Sequence, residues 1–194
     1  MKILPFTGSG VALVTPFNGL ETDYDALERL INMHLENKTD AIIICGTTGE
    51  ASTMPDSEHL AAIKFTAEKV AGRIPVIAGS GSNDTAHAVQ LSKKAEECGA
   101  DALLTVTPYY NKTSQKGLVK HFNEIAGAVS IPMILYNVPS RTGMSISVSA
   151  LKELAKTENI VGIKEASGNM SYAAQVAAEV PELYMYSGND DMIV

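Results

Sequence analysis

The sequence predicts an α/β fold of parallel strands joined by crossover helices, and two observations carry that expectation. Short apolar runs recur at intervals of about 30 residues, the length of one strand-plus-crossover unit, with amphipathic helical stretches between them. The runs are also apolar at consecutive positions, as expected of strands covered on both faces.

In chain order the predicted strands are 10–14, 40–45, 75–78, 102–106, 132–136, 160–163 and 183–186. Between them, Leu27, Leu30, Ile31 and Leu35 fall on one helical face, and Leu118, Phe122, Ile125 and Val129 on another. Asp23, Ser57, Thr85 and Ser147 are suited to cap helix N-termini, and Gly99 to stop a helix at its C-terminal end. No linker or low-complexity segment interrupts the pattern, so a single domain is expected over residues 1–194.

Composition narrows the function classes. A chain with 45% hydrophobic and 19% charged residues is too apolar for disorder and can bury a core. Its net charge of -7 offers no basic surface for nucleic acid or anionic membranes, which leaves a small molecule as the expected ligand. Residues 1–6 lack the apolar run of a signal peptide and no membrane span is evident, so a cytoplasmic location is expected. Cys45 and Cys98 fit neither a zinc site nor a disulfide framework and read as buried free thiols. His34, His59, His87 and His121 lie on predicted helices without ligand spacing, which argues against a metal and for exposed side chains.

Two architectures accommodate the pattern, a doubly wound open sheet and a (β/α)8 barrel, and both place ligands at the carboxyl ends of the strands. The residues just beyond those ends are Gly46-Thr47-Thr48-Gly49-Glu50, Gly79-Ser80-Gly81, Pro108-Tyr109-Tyr110-Asn111, Tyr136-Asn137, Lys164-Glu165 and Ser187-Gly188-Asn189-Asp190. Strand alternation sets Lys164 on the same side as Gly162 and Ile160, in apolar surroundings. Desolvation there favours the neutral amine, the form that attacks a carbonyl. The competing reading is a solvated lysine paired with Glu165.

Other residues at this rim add to the pattern. The loop from Gly46 to Gly49 can offer backbone N–H groups and threonine hydroxyls to a small carboxylate, or it is simply a tight turn. Tyr136 brings a phenol able to shuttle protons, and Arg141 a guanidinium fork suited to a carboxylate. A nucleotide loop is disfavoured, because Asp84 stands where a dinucleotide fingerprint needs its third glycine.

With those residues in view, the chain resembles the dihydrodipicolinate synthase and N-acetylneuraminate lyase superfamily. The resemblance runs from Ala12-Leu-Val-Thr-Pro-Phe to the end of the sequence. It rests on Gly46-Thr-Thr-Gly-Glu, Thr105-Val-Thr-Pro-Tyr-Tyr-Asn, Tyr136-Asn-Val-Pro-Ser-Arg-Thr-Gly and Gly162-Ile-Lys-Glu-Ala. It implies a (β/α)8 barrel, with about seven of the eight βα units in this chain, and class I aldolase chemistry in diaminopimelate and lysine biosynthesis. Lys164 would condense with pyruvate, and the enamine would attack aspartate semialdehyde, with no metal or organic cofactor.

Carried over by position, Tyr136, Thr47 and Tyr110 match the proton relay, with Tyr110 reaching into a neighbouring subunit. Thr48 matches the pyruvate carboxylate contact, Arg141 the semialdehyde carboxylate contact, and Gly188 a position lining the pocket. The resemblance also implies a homotetramer arranged as a dimer of dimers. Arg141 and the Tyr109-Tyr110 pair favour the synthase branch over N-acetylneuraminate lyase, another Schiff-base pyruvate aldolase. At the position of an acidic residue in the lysine effector site of regulated relatives stands His87, which implies weak lysine feedback, although Asn83, His59 and Tyr109 match.

Relative to the family pattern the sequence stops before an eighth strand and a C-terminal helical domain. A seven-strand sheet with two free edges is therefore expected, with a tendency to aggregate, and a non-catalytic truncated homologue is the alternative function. Even so, Lys164, Tyr136 and Thr47 are expected to converge.

Overall fold

The computed structural model describes residues 2–192; Met1, Ile193 and Val194, at the ends of the expected domain, lie outside the described residues. The strands and helices follow in the order β1 (Gly10–Ala12), β2 (Phe17–Asn18), β3 (Glu21–Thr22), α1 (Tyr24–Glu36), β4 (Ala41–Ile44), α2 (Asp56–Val70), β5 (Val76–Gly79), α3 (Thr85–Glu97) and β6 (Ala102–Val106). They continue with α4 (Gln115–Ala126), β7 (Met133–Asn137), α5 (Pro139–Thr142), α6 (Val148–Leu154), β8 (Ile160–Glu165), α7 (Met170–Glu179) and β9 (Tyr184–Ser187). A single 3-10 turn at Ala51–Thr53 precedes α2.

The main sheet has seven strands in the order β1-β4-β5-β6-β7-β8-β9, with β2 and β3 forming a separate antiparallel hairpin. A doubly wound sheet reverses its strand order at a switch point, whereas this order never reverses. The fold is therefore that of a (β/α)8 barrel with seven of its βα units present, and the open-sheet alternative is excluded.

The chain packs as two compact units. One comprises Pro5–Ser80 with Leu91–Leu104; the other comprises the residues up to Leu4, Gly81–Gln90 and the chain from Thr105 onward.

In the first unit, β4 and β5 are buried along their whole length and pair in parallel, Ile42 opposite Val76 and Ile43 opposite Ile77. Consecutive β-branched and aliphatic residues suit strands with no solvent face. The predicted cap Asp23 accepts the Ala26 N–H at 2.9 Å, and α1 buries Leu27 and Ile31 completely. The predicted cap Ser57 is displaced, because α2 begins at Asp56 behind Pro55, whose carbonyl accepts the N–H groups of Glu58 and His59. Asp56 and Glu58 then sit in the first turn, where carboxylates complement the helix dipole. The hairpin β2–β3 had no counterpart in the apolar pattern, since two-residue strands are too short to show a period. Its turn is Gly19-Leu20 with Gly19 at φ +66°, and Glu58 Oε1 anchors it by accepting from Thr22 N and Oγ1.

Two histidines depart from the expectation of exposure. His59 and His121 are buried, and His34 and His87 are half-buried. His59 donates from Nε2 to the Gly79 carbonyl at 2.8 Å, which satisfies a polar group inside the unit. Cys45 is buried as expected, its thiol pushed up to about 12 by burial and then by the Glu58 charge, while Cys98 is half-buried rather than buried.

In the second unit, β7 pairs with β8 and β8 with β9, all parallel. Helix α4 is capped by Ser114 and buries Leu118, Phe122 and Ile125; Val129 lies beyond its end and is half-buried. Ser147 caps α6 as expected. Thr85 does not cap α3: Asp84 Oδ1 accepts the Ala86 N–H at 3.0 Å, and Thr85 Oγ1 instead meets His121 Nδ1 at 2.9 Å. Lys2 ties the N-terminal segment beneath β8, donating from Nζ to the carbonyls of Thr157 and Ile160. Among the described residues no helix is long and apolar enough to cross a membrane.

Candidate active site

Alternation along two neighbouring strands creates the centre of the candidate site. On β7 and β8 the Cα register sets Tyr136 opposite Lys164 and Asn137 opposite Glu165. Consecutive residues of a strand point to opposite faces, so Tyr136 and Lys164 share one face and Asn137 and Glu165 the other. Lys164 Nζ lies 4.7 Å from the centroid of the Tyr136 ring, near enough for the ring to attract an ammonium.

Burial holds the Lys164 amine below the usual lysine range, and the Asp190 carboxylate opposes that shift. Tyr136 is itself buried and Lys164 half-buried. Gly188, just past β9, closes over the lysine. A Cβ there would lie 2.7 Å from Ala166 Cβ and 3.0 Å from Lys164 Cε, so no other residue fits without displacement.

The competing reading, a Lys164 paired with Glu165, is overturned by this geometry. Glu165 turns to the opposite face, where its Oε2 accepts from Asn137 Nδ2 at 2.7 Å and its Oε1 from the Ser167 N–H at 2.6 Å. Both side chains are buried, Asn137 completely. Asn137 Oδ1 also accepts from Ile146 N at 3.0 Å and Ser145 Oγ at 3.3 Å. Neither residue's partnership follows from periodicity, although a polar residue on each buried strand face is a signal.

Arg141 lies on α5, a single turn begun by Pro139 and ended by Gly143 at φ +69°, and its side chain is exposed. Tyr110 is 93% exposed and adopts φ +66°, an uncommon backbone for a tyrosine. Thr105 Oγ1, Thr107 Oγ1 and His121 Nε2 are buried without a hydrogen-bond partner among the described residues.

In the first unit, Thr47 and Thr48 follow β4 and are both exposed. The loop forms the tight turn foreseen as one option, with Gly49 N–H donating to Gly46 O and Glu50 N–H to Thr47 O. Thr15 Oγ1 donates to the Gly49 carbonyl at 2.7 Å and fixes the turn from beneath. The N–H groups of Thr47 and Thr48 make no hydrogen bond among the described residues, so they and two hydroxyls are available to an anion. Of the residues singled out, then, Lys164, Tyr136 and Gly188 come together in one unit. Arg141 and Tyr110 stand exposed in that unit, and Thr47 and Thr48 belong to the other. No group of three His, Cys, Asp or Glu side chains among the described residues could hold a metal ion.

Comparison with known proteins places this arrangement. The chain is 64% identical over 190 residues to the 4-hydroxy-tetrahydrodipicolinate synthase of Caldicellulosiruptor bescii, covering 97% of this chain and 64% of that protein. It is 58% identical to the enzyme of the same name from Acetivibrio thermocellus, with the same coverage. The chain thus spans slightly less than two thirds of these relatives' length. The crystal structure of dihydrodipicolinate synthase from Aquifex aeolicus superposes with a TM-score of 0.95 at 48% identity, over 96% of this chain and 64% of that one. The dihydrodipicolinate synthase from Acinetobacter baumannii complexed with pyruvate gives 0.91 at 46% identity, over 95% of this chain and 64% of that one. The profile of the dihydrodipicolinate synthetase family matches residues 5–194, which include every strand of the sheet and every residue of the site, and the chain belongs to that family.

Proposed function

We propose that this protein is a class I pyruvate aldolase acting as a 4-hydroxy-tetrahydrodipicolinate synthase. The observation that carries the reading is the half-buried Lys164 amine, held below the usual lysine range beside the buried Tyr136 ring. A lysine in that state is more often neutral near pH 7 than a solvated one, and a neutral amine can attack the keto carbon of pyruvate. The carbinolamine loses water to give the imine. Loss of a methyl proton then gives an enamine, whose carbon bonds to the aldehyde carbon of aspartate semialdehyde.

In this reading Tyr136, with Thr47 and Tyr110, passes protons to and from these intermediates, Tyr110 by reaching from a neighbouring subunit. Its high exposure and unusual backbone suit a side chain presented outward. Thr48 holds the pyruvate carboxylate, which fits its free backbone N–H, and Gly188 leaves room beside Lys164 for the carbon skeleton. Arg141 pairs with the carboxylate of the semialdehyde, and its exposed position on a short turn suits contact with an incoming substrate. The active assembly in this reading is a homotetramer.

Borohydride reduction in the presence of pyruvate tests the chemistry. The peptide containing Lys164 should gain one reduced pyruvate unit, and Lys164→Ala should abolish the label. A label on another lysine, or one that persists in Lys164→Ala, overturns the assignment.

A further inference from the structure

Asn137 and Glu165 do more than fill the far face of the strand pair. Their side chains meet at 2.7 Å one residue beyond Tyr136 and Lys164, on adjacent strands whose register opposes both pairs. The backbone closes around the same point: Ala166 N–H donates to Asn137 O at 2.9 Å, and Gly188 N–H to Glu165 O at 2.7 Å. One buried pair therefore fixes how β7, β8 and the Gly188 turn line up, and with them the distance from the lysine to the tyrosine.

The same asparagine reaches a fourth segment. Its Oδ1 accepts from Ser145 and Ile146, which follow the turn bearing Arg141. That return segment is held from two other sides. Gln115 donates from Nε2 to Ser145 O at 2.8 Å and accepts from Ser147 N at 2.9 Å, while the Tyr172 hydroxyl donates to Ile146 O. The Arg141 turn thus springs from Val138, next to Asn137, and returns to Asn137.

We infer that the Asn137–Glu165 pair is a positioning device that aligns Lys164 with Tyr136 and anchors the Arg141 turn, coupling the two halves of the proposed substrate site. The inference rests on the pyruvate aldolase reading. Each polar side-chain atom of the pair has a partner: Glu165 uses one oxygen for Asn137 and the other for Ser167, and Asn137 uses its amide nitrogen for Glu165 and its oxygen for the return segment. Replacing either residue alone breaks that matching inside a buried site, where an unmade hydrogen bond is costly.

The complementary exchange restores it. In the double variant Asn137→Asp with Glu165→Gln, the aspartate accepts from the glutamine amide and from Ile146 N, and the glutamine oxygen still accepts from Ser167 N. Asn137→Asp alone instead opposes two carboxylates across one hydrogen bond, where like charges repel.

The test measures the rate of borohydride-trapped pyruvate labelling on Lys164 at saturating pyruvate in the protein as naturally made. Melting curves accompany it, to hold each variant well below its transition. Asn137→Asp is expected to slow labelling about 10-fold to 100-fold, the scale of a misplaced reacting group, and the double variant to return within about three-fold of the parent. The KM for the aldehyde should rise in the single variant and recover in the double one.

A folded double variant that labels as slowly as Asn137→Asp would show that the pair does not act as a unit. Unaltered labelling in a folded Asn137→Asp protein overturns the inference equally. If the parent itself leaves Lys164 unlabelled, the aldolase reading fails and this inference with it, an outcome distinguishable because it needs no variant.

Discussion

Lys164 Nζ lies 4.7 Å from the centroid of the Tyr136 ring, across neighbouring parallel strands on which the two residues are register partners. A buried phenol and a half-buried amine are thereby held together. Burial is the main cause of the weakened basicity of the amine, and Asp190 acts against it.

That balance gives a pH prediction. A lowered amine pKa means the reactive neutral form accumulates at lower pH than for a solvated lysine, so the labelling rate should rise with pH and level off early. The Asp190 charge raises the pKa, so Asp190→Asn should move the inflection to still lower pH. Labelling rate against pH in parent and variant checks both directions, and a shift to higher pH would contradict the assignment of Asp190.

Gly188 offers a steric test. A methyl group added there meets Ala166 Cβ at 2.7 Å and Lys164 Cε at 3.0 Å. Gly188→Ala should displace the lysine and slow Schiff-base trapping by about 10-fold or more, with only a modest loss of melting temperature. Single-turnover trapping alongside a melting curve separates the two effects.

Arg141 separates the substrates. Because it stands on an exposed turn and Lys164 in a buried strand end, Arg141→Ala should leave pyruvate labelling of Lys164 close to the parent rate. It should also lower kcat/KM for aspartate semialdehyde by about 100-fold, as expected when a carboxylate loses its charged partner. Steady-state kinetics with N-acetylmannosamine as the alternative aldehyde gives the specificity; faster turnover of that sugar by the parent would move the assignment to the lyase branch.

His121 makes stability depend on pH. Burial holds its pKa at about 4 against an ordinary 6.5, with the Asp84 charge opposing. Below pH 6.5 the unfolded chain takes up a proton that the folded chain refuses, so stability falls as pH drops from 6.5 and the loss is complete below about 4. Among the described residues the buried Nε2 has no hydrogen-bond partner. His121→Gln should flatten this dependence by about 2 kcal/mol between pH 7 and pH 4.5, or several degrees of melting temperature.

His87 bears on regulation. Its half-buried ring meets Ser82 Oγ through Nδ1 at 3.0 Å and carries no negative charge for a ligand's α-ammonium. Inhibition by millimolar lysine should be weak, and His87→Glu should strengthen it. Dose–response curves for both proteins decide the point.

The sequence by itself determined the strands of the main sheet and their parallel character, because a strand buried on both faces must be apolar at every position. The runs at 40–45 and 102–106 therefore announce β4 and β6 nearly residue for residue. It also determined that Lys164 would stand at an apolar strand end, since a two-residue period needs no knowledge of the neighbouring strand. Local capping was legible at Asp23 and Ser147, where a side chain reaches only three residues along the chain. At Ser57 and Thr85 it was not, because Pro55 set the start of α2 and His121, 36 residues away, claimed the Thr85 hydroxyl.

Contacts between distant segments needed the tertiary structure. Pairing of Glu165 with Lys164 was the competing reading, but pleating sends adjacent side chains to opposite faces, and only the register of β7 against β8 revealed Asn137, 28 residues away, as the partner of Glu165. His59 and His121 carry the polarity of surface residues, yet each is buried because a carbonyl or hydroxyl on another segment satisfies one ring nitrogen. The strand order, too, is a property of the folded sheet: a period of strand and helix is common to both α/β architectures, and only hydrogen bonding between strands distinguishes an order that reverses from one that runs on.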